Sequence, residues 1–360
     1  MNPQQPSSTL EEHASHVHAA SLVINGLAQG GSSVYATVAA AAEGGVTAMN
    51  LTVAANDTFR SAAQKLCNVR RALDSLPESL TARIITEASE IDECKAAGSV
   101  GIIVGFQNAD PIEDCLAYLE MFRLAGLRIL QLTYQRTNLL GSGCGEKVDE
   151  GLTAFGREVV AECNRLGILV DVSHVGPRTT LDAIDCSQVP VAITHANLAS
   201  FNPIPRNKTD DIIRAIGKCD GMIGITAISR LIRPDGSVRG ATVVDYADQI
   251  EAVADLIGYE RVGMGLDIYE GMTPEVFEGR KRSFFVQFPE LAMGGDFELD
   301  TYFVSGLASA ADVRSVTAEL LLRGWKRMEI EAVMGGNWRR MLERSWQPRD
   351  RAVTVTVQPV

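Results

Sequence analysis

Apolar residues in this chain fall into short continuous runs, separated by longer stretches in which they recur every three or four positions. Eight runs bounded by Gly, Asn, Asp or Pro predict strands at 21–25 (SLVIN), 46–52 (VTAMNLT), 100–106 (VGIIVGF), 127–133 (LRILQLT), 168–173 (ILVDVS), 190–194 (PVAIT), 221–226 (GMIGIT) and 261–266 (RVGMGL). Almost none of them alternates with polar residues, which is the signature of a parallel sheet covered on both faces. Between the runs the period is helical. In LTAFGREVVAECNRLG, the residues Leu152, Phe155, Val159, Val160, Cys163 and Leu166 form one apolar face that ends at Gly167. Comparable patterns cover 111–124, 177–185, 209–218, 242–257, 311–322 and 328–342.

Eight strand-plus-helix units predict one α/β domain, a (β/α)8 TIM-type barrel over residues 21–346, with a lead-in at 1–20 and a tail at 347–360. The segment 267–312 breaks the rhythm: it is rich in Gly, Phe and charge and has no clear periodic element over much of its length. It reads as an insertion after the last strand, lying over the catalytic face.

The composition, 46% apolar and 22% charged over 360 residues, is that of a globular enzyme and excludes disorder and fibre. With 33 Lys plus Arg against 45 Asp plus Glu the net charge is −12, so no basic footprint exists for nucleic acid or an anionic membrane. No apolar run approaches the roughly 18–20 residues that span a bilayer. The opening residues lack the basic-then-apolar order of a signal peptide, and the expected location is the cytoplasm. The seven Cys are odd in number and never closer than nineteen residues, which fits reduced thiols.

The histidine count bounds the chemistry more tightly. Of five His, three (His13, His16 and His18) sit in the lead-in, where a short helix without a catalytic role is expected. His174 and His195 remain. In a barrel, catalytic groups lie just past the carboxyl ends of strands, and those positions hold Gln107, Asn108, Tyr134, His174, His195 and Asp267. Arg206, between Pro205 and Asn207, is placed to grip a carboxylate bidentately or to form a structural ion pair, and Arg136 is a second candidate anion contact. Cys144, in the pliant loop NLLGSGCGE, is either an incidental thiol or a metal ligand or nucleophile near the mouth.

The fragments GLTAFGREVVAECNRLGILVDVSHVG, PVAITHANLASFNPIPRNKTDD, RVGMGLD and MGGNWRRML together resemble the membrane (renal-type) dipeptidase family, peptidase family M19 of the amidohydrolase superfamily. The resemblance is collinear from about residue 22 to residue 342. It implies a dimeric (β/α)8 barrel that uses two zinc ions to hydrolyse dipeptides and related amides. His174 and His195 match the pair that holds the second zinc, Arg206 the Arg that clamps the substrate carboxylate, and Asp267 the Asp that ends the last strand.

Four other positions depart from the family pattern. Leu27 and Gln29 stand where the first strand's His-x-Asp belongs, Gln107 replaces the bridging Glu, and Tyr134 replaces the substrate-polarising His. Two divalent ions about 3.5–4 Å apart need bridging negative charge, which Leu and a neutral amide do not supply. The expectation is therefore at most one ion, a Zn2+ or similar metal on His174, His195 and Asp267 or Cys144, or else no metal. The leading reading is a dipeptidase-like amidohydrolase that cleaves a C–N bond in a small carboxylate-bearing substrate. In it Arg206 holds the carboxylate, Asp267 is the base, and Tyr134 and Gln107 donate to the oxyanion beside Asn108. The alternatives are a metal-free isomerase, lyase or cyclase acting on a small metabolite, and a catalytically silent descendant that binds a ligand.

Overall fold

The computed structural model describes residues 8–30, 33–288 and 298–349. Its strands are β1 (Ile24–Gln29), β2 (Ala48–Ala54), β3 (Ala82–Ile84), β4 (Val100–Phe106), β5 (Leu127–Gln131), β6 (Leu169–Asp171), β7 (Ala192–Ala196), β8 (Met222–Ile225) and β9 (Val262–Met264). All pairings between them are parallel. β2 pairs with β4 directly and β1 pairs with β9, so eight strands close on themselves while β3 lies outside, zipped to the start of β4 through Ala82↔Val100 and Ile84↔Ile102. This is the (β/α)8 barrel that the eight apolar runs predict. In β4 all seven residues are buried, as the unbroken run VGIIVGF requires.

Helices between the strands start and stop where local chemistry dictates. Thr153 caps Ala154–Leu166 by accepting from the Gly156 N–H, and Gly167 ends that helix at φ 66°. The Thr242 hydroxyl and the Asp245 carboxylate cap Val243–Ile257 reciprocally. The lead-in forms the helix Ser8–Ala20, and His18 is buried in it between the Thr317 hydroxyl at 2.9 Å and the Gly44 carbonyl at 2.8 Å, a packing role.

The structure departs from the sequence reading at four places. The first strand is not 21–25 but Ile24–Gln29, because Ser21 closes off the end of the preceding helix, its N–H and hydroxyl both bonded to the Val17 carbonyl. Leu27 and Gln29 therefore lie within the strand rather than beyond it. β3 is a ninth strand, three residues long and incompletely buried, too short and too wet to give an apolar run. The C-terminal periodic stretch is interrupted by a π-helical segment, Ala332–Gly336, where Gly335 packs on the Leu22 backbone. Finally, the segment after the last strand carries a regular helix, Pro274–Gln287, started by the Thr273 cap and Pro274. Phe277 and Phe284 line an aromatic cavity while Val276 and Val286 are exposed, so no single stripe marks it. The remainder of that segment at 289–297, and the tail from 350, lie outside the described residues. Among the described residues no helix is long and apolar enough to cross a membrane.

Candidate active site

Asp267 stands three residues beyond β9, in the left-handed backbone region at φ 58°. Its N–H donates to the Leu27 carbonyl at 3.0 Å, and Gln29 in turn donates from its backbone to the Ile268 carbonyl, so the ends of the first and last strands are stitched together around it. The Gln29 amide donates to Asp267 Oδ1 at 2.5 Å. Burial raises the Asp267 carboxyl to about 6, against the lowering effect of the Gln29 bond and of the Arg206 and Arg230 guanidinium groups. A carboxylate with this pKa is largely ionised at neutral pH yet still basic enough to take a proton.

The two imidazoles are held differently. His174 Nε2 and His195 Nε2 face each other at 2.9 Å, and both side chains are buried. The Thr194 hydroxyl donates to Asp171 Oδ2 at 2.6 Å, and its oxygen lies 2.8 Å from His195 Nδ1. Having given its only proton to Asp171, Thr194 accepts from His195 Nδ1, which leaves the His195 lone pair on Nε2. His174 Nε2 then carries the shared proton, and His174 Nδ1 is a buried atom without a hydrogen-bond partner. Asp171 also accepts from the Ser173 hydroxyl at 2.5 Å and from the Ser173 and Thr194 N–H groups, which fixes this relay within the barrel. Burial, assisted by Arg206 and Lys208, holds both histidines well below their ordinary pKa, so both are neutral and weakly basic at pH 7.

Two buried cations line the same mouth. Arg206 donates from Nη1 to the Ser173 carbonyl at 3.0 Å and from Nη2 to the His195 carbonyl at 2.6 Å. The guanidinium thus anchors the two strand ends that present the histidines, and its terminal nitrogens are engaged by backbone. Lys208 donates to the Val175 carbonyl at 2.7 Å, and burial lowers its ammonium to about 8. Tyr134 stacks on His174 with ring centroids 4.4 Å apart, and burial together with the Asp267 charge keeps its phenol protonated far above neutrality. Cys144 is buried rather than pliant: its thiol donates to Gln135 Oε1 at 3.0 Å and its N–H to the His174 carbonyl at 2.8 Å.

The remaining sequence-selected groups are more distributed. Gln107 donates from its side-chain amide to the Thr52 hydroxyl at 3.0 Å, and its backbone carbonyl accepts from the buried Gln131 side-chain amide. Asn108 is bonded to Asn56 and Asn138 in a side-chain chain that ties three loops together. Arg136 reaches away from the histidines to the Gln287 carbonyl at 3.2 Å, with its guanidinium 5.7 Å from the Phe288 ring centre. Asp171, Thr194, Lys208, Arg230 and Arg280 were not singled out from sequence. A carboxylate inside the apolar run ILVDVS was a usable signal for Asp171, because a buried charge needs partners.

With this geometry in place, comparison with known proteins identifies the lineage. The model of the membrane dipeptidase family (peptidase family M19) matches residues 3–282 and 288–352. The chain belongs to the membrane dipeptidase family. Among solved structures, an amidohydrolase from Pseudomonas aeruginosa is 31% identical, superposes with a TM-score of 0.84, and aligns over 92% of this chain and 99% of its own. An uncharacterised dipeptidase of Schizosaccharomyces pombe is 29% identical over 70% of this chain, and mouse dipeptidase 3 is 25% identical over 82%. The matched stretches take in 59% and 54% of those two longer proteins.

The family's two-metal centre can be tested on the residues present in this membrane dipeptidase relative. Gln29 donates a hydrogen bond to Asp267 where a ligand carboxylate would share an ion with it, and Leu27 offers no donor atom. The sequence expectation of His174, His195 and Asp267 as one ligand set, with Cys144 as the other candidate third ligand, is not realised. Among the described residues no three His, Cys, Asp or Glu side chains are grouped so as to hold an ion. The imidazoles bond to each other and Asp267 bonds to Gln29. These residues do not fit a dinuclear metal centre.

Proposed function

We propose that the chain is an amidohydrolase that cleaves a C–N bond, in an amide, dipeptide or lactam-like group, of a small carboxylate-bearing molecule. The observation that carries this reading is the Asp267 carboxylate: buried, oriented by Gln29 and poised near pH 6. Membership of a hydrolase family supports the reaction class. Asp267 accepts a proton from water as the water oxygen bonds to the carbonyl carbon. When the tetrahedral intermediate collapses, the C–N bond breaks and the same proton passes from Asp267 to the leaving nitrogen, giving a carboxylic acid and an amine. Tyr134, kept protonated by its surroundings, donates to the developing oxyanion, while the His174–His195 pair shapes the floor of the site.

The test is a depletion screen of N-acyl amino acids, dipeptides and lactams, run on wild type beside Asp267→Asn. Turnover of at least one compound by wild type, with loss of at least about a thousandfold in the variant, is the expected result for removal of a general base and its charge. Equal turnover by both proteins would overturn the assignment of Asp267.

A further inference from the structure

Tyr134 enters the site on a sharply bent piece of backbone. The Arg136 N–H closes back on the Tyr134 carbonyl at 2.7 Å, and Gln135 between them has a φ of 63°. A three-residue turn with positive φ at its centre is the rarer and more strained of the two such turns, and a residue with a side chain seldom adopts that backbone. Glycine would take the same φ without strain. Gln135 is instead only 3% exposed, and its side chain is in use: Oε1 accepts from the Cys144 thiol at 3.0 Å. Strain of this kind persists where the surroundings over-determine it, and it gathers at functional sites.

The surroundings here are one short loop, 142–145. The Gly145 N–H donates to the Gln135 carbonyl at 2.8 Å, and a Cβ on Gly143 would collide with the Gln135 and Arg136 backbone, so the loop lies directly against the turn. Its other side is tied to the second ring of the site. The Cys144 N–H donates to the His174 carbonyl at 2.8 Å, and Gly143 pairs with Val175. The loop therefore sets the Tyr134 turn and the His174 strand end against each other. The rings alone do less: Tyr134 stacks on His174 with centroids 4.4 Å apart and meets Phe288 edge to face at 5.8 Å, contacts that fix the plane of the ring but not its place within that plane.

We propose that Gln135 is a positioning residue for Tyr134: its bond with Cys144 holds the strained turn, and the turn aims the phenol at the developing oxyanion. The aim at an oxyanion rests on the hydrolase reading, whereas the placement of the ring rests on the turn alone. Cys144 then serves the site as the brace of Gln135, through a hydrogen bond, and not as a ligand or nucleophile.

The test is nuclear magnetic resonance of the full chain carrying 13C in its tyrosine rings, with the Tyr134 signal assigned by its disappearance in Tyr134→Phe. Stacking on His174 gives that signal a ring-current shift. In Gln135→Leu, which lacks the acceptor at similar size, the signal broadens or moves towards the position of free tyrosine while circular dichroism stays that of wild type. Cys144→Ala does the same, and Cys144→Ser, which keeps a donor, brings the signal part of the way back. A Tyr134 signal unmoved in whichever of Gln135→Leu and Cys144→Ala folds would overturn the proposal. With a substrate from the screen, Gln135→Leu loses about tenfold in kcat with little change in KM, as expected for a donor misaimed rather than removed, and it adds no further loss to Tyr134→Phe. Losses that multiply would give Gln135 a general structural role and overturn its positioning one. The two readings separate: a moved Tyr134 signal with no hydrolysis of any compound refutes the hydrolase and leaves the positioning of Tyr134 standing, and hydrolysis with an unmoved signal does the reverse.

Discussion

Asp267→Asn changes a charge without changing shape, and it reports on the site even before a substrate is known. Asn tolerates the left-handed φ of 58° that Asp267 adopts, and its amide oxygen can still accept from Gln29. The carboxyl is raised from 3.8 to about 6 on folding, equivalent to about 3 kcal/mol. For a raised acid, the folded form holds its proton longer than the unfolded one. The associated stability is therefore fully present below pH 3.8 and is lost as pH rises to about 6. Above that pH the wild type carries the cost of a buried charge that Asn does not. With an unfolding entropy of about 2.1 cal/mol/K per residue over 360 residues, about 3 kcal/mol corresponds to about 4 °C. Differential scanning calorimetry from pH 4 to pH 8 should show the Asn variant melting about 4 °C higher at pH 8, with the difference shrinking towards pH 4. A pH-independent difference, or an Asn variant less stable at pH 8, would refute the reasoning; the latter is the sign expected if Asp267 served a bound ion.

Further outcomes follow from the same geometry. The logarithm of kcat/KM should rise with pH through an apparent pKa near 6 as Asp267 ionises and then level off, since both histidines are already neutral there; a rate that falls as pH increases from 5 to 7 would exclude Asp267 as the base. Arg206→Met should lower thermal stability without any ligand present, by about 1–3 kcal/mol, because the Ser173 and His195 carbonyls lose their donors. An unchanged melting temperature would instead assign Arg206 wholly to substrate. Metal analysis of protein purified without chelators should find fewer than two zinc equivalents, and two tightly held ions would contradict the reading of Gln29 and Leu27.

The barrel was legible because its strands are buried on both faces, which makes their apolar runs continuous, and because helix caps such as Thr153, Thr242 and Gly167 are local chemistry. β3 escaped because three incompletely buried residues produce no pattern. The helix Pro274–Gln287 had its start signal in Thr273-Pro274, but Phe277 and Phe284 face a cavity and Val276 and Val286 face outwards, which leaves no amphipathic stripe. At the site, residue types at strand ends located His174, His195 and Asp267, since barrel topology sends those positions to one mouth. Which atoms pair could not be read from order along the chain: the Gln29–Asp267 bond joins residues 238 positions apart. Arg206 shows the same limit. Its place after the sixth predicted strand suggested a free clamp, whereas its donors close on carbonyls from two different strand ends. Arg230 and Arg280 were unremarkable as sequence, and only the fold sets them over one aromatic pocket.

Hydrolysis by an Asp267-activated water is tested most directly by isotope transfer. With the most active N-acyl amino acid or lactam from the screen, turnover in 18O-labelled water should place one labelled oxygen in the product carboxylate, with no product from Asp267→Asn. Product formed without label, or with label at an undiminished rate in the variant, would contradict the account.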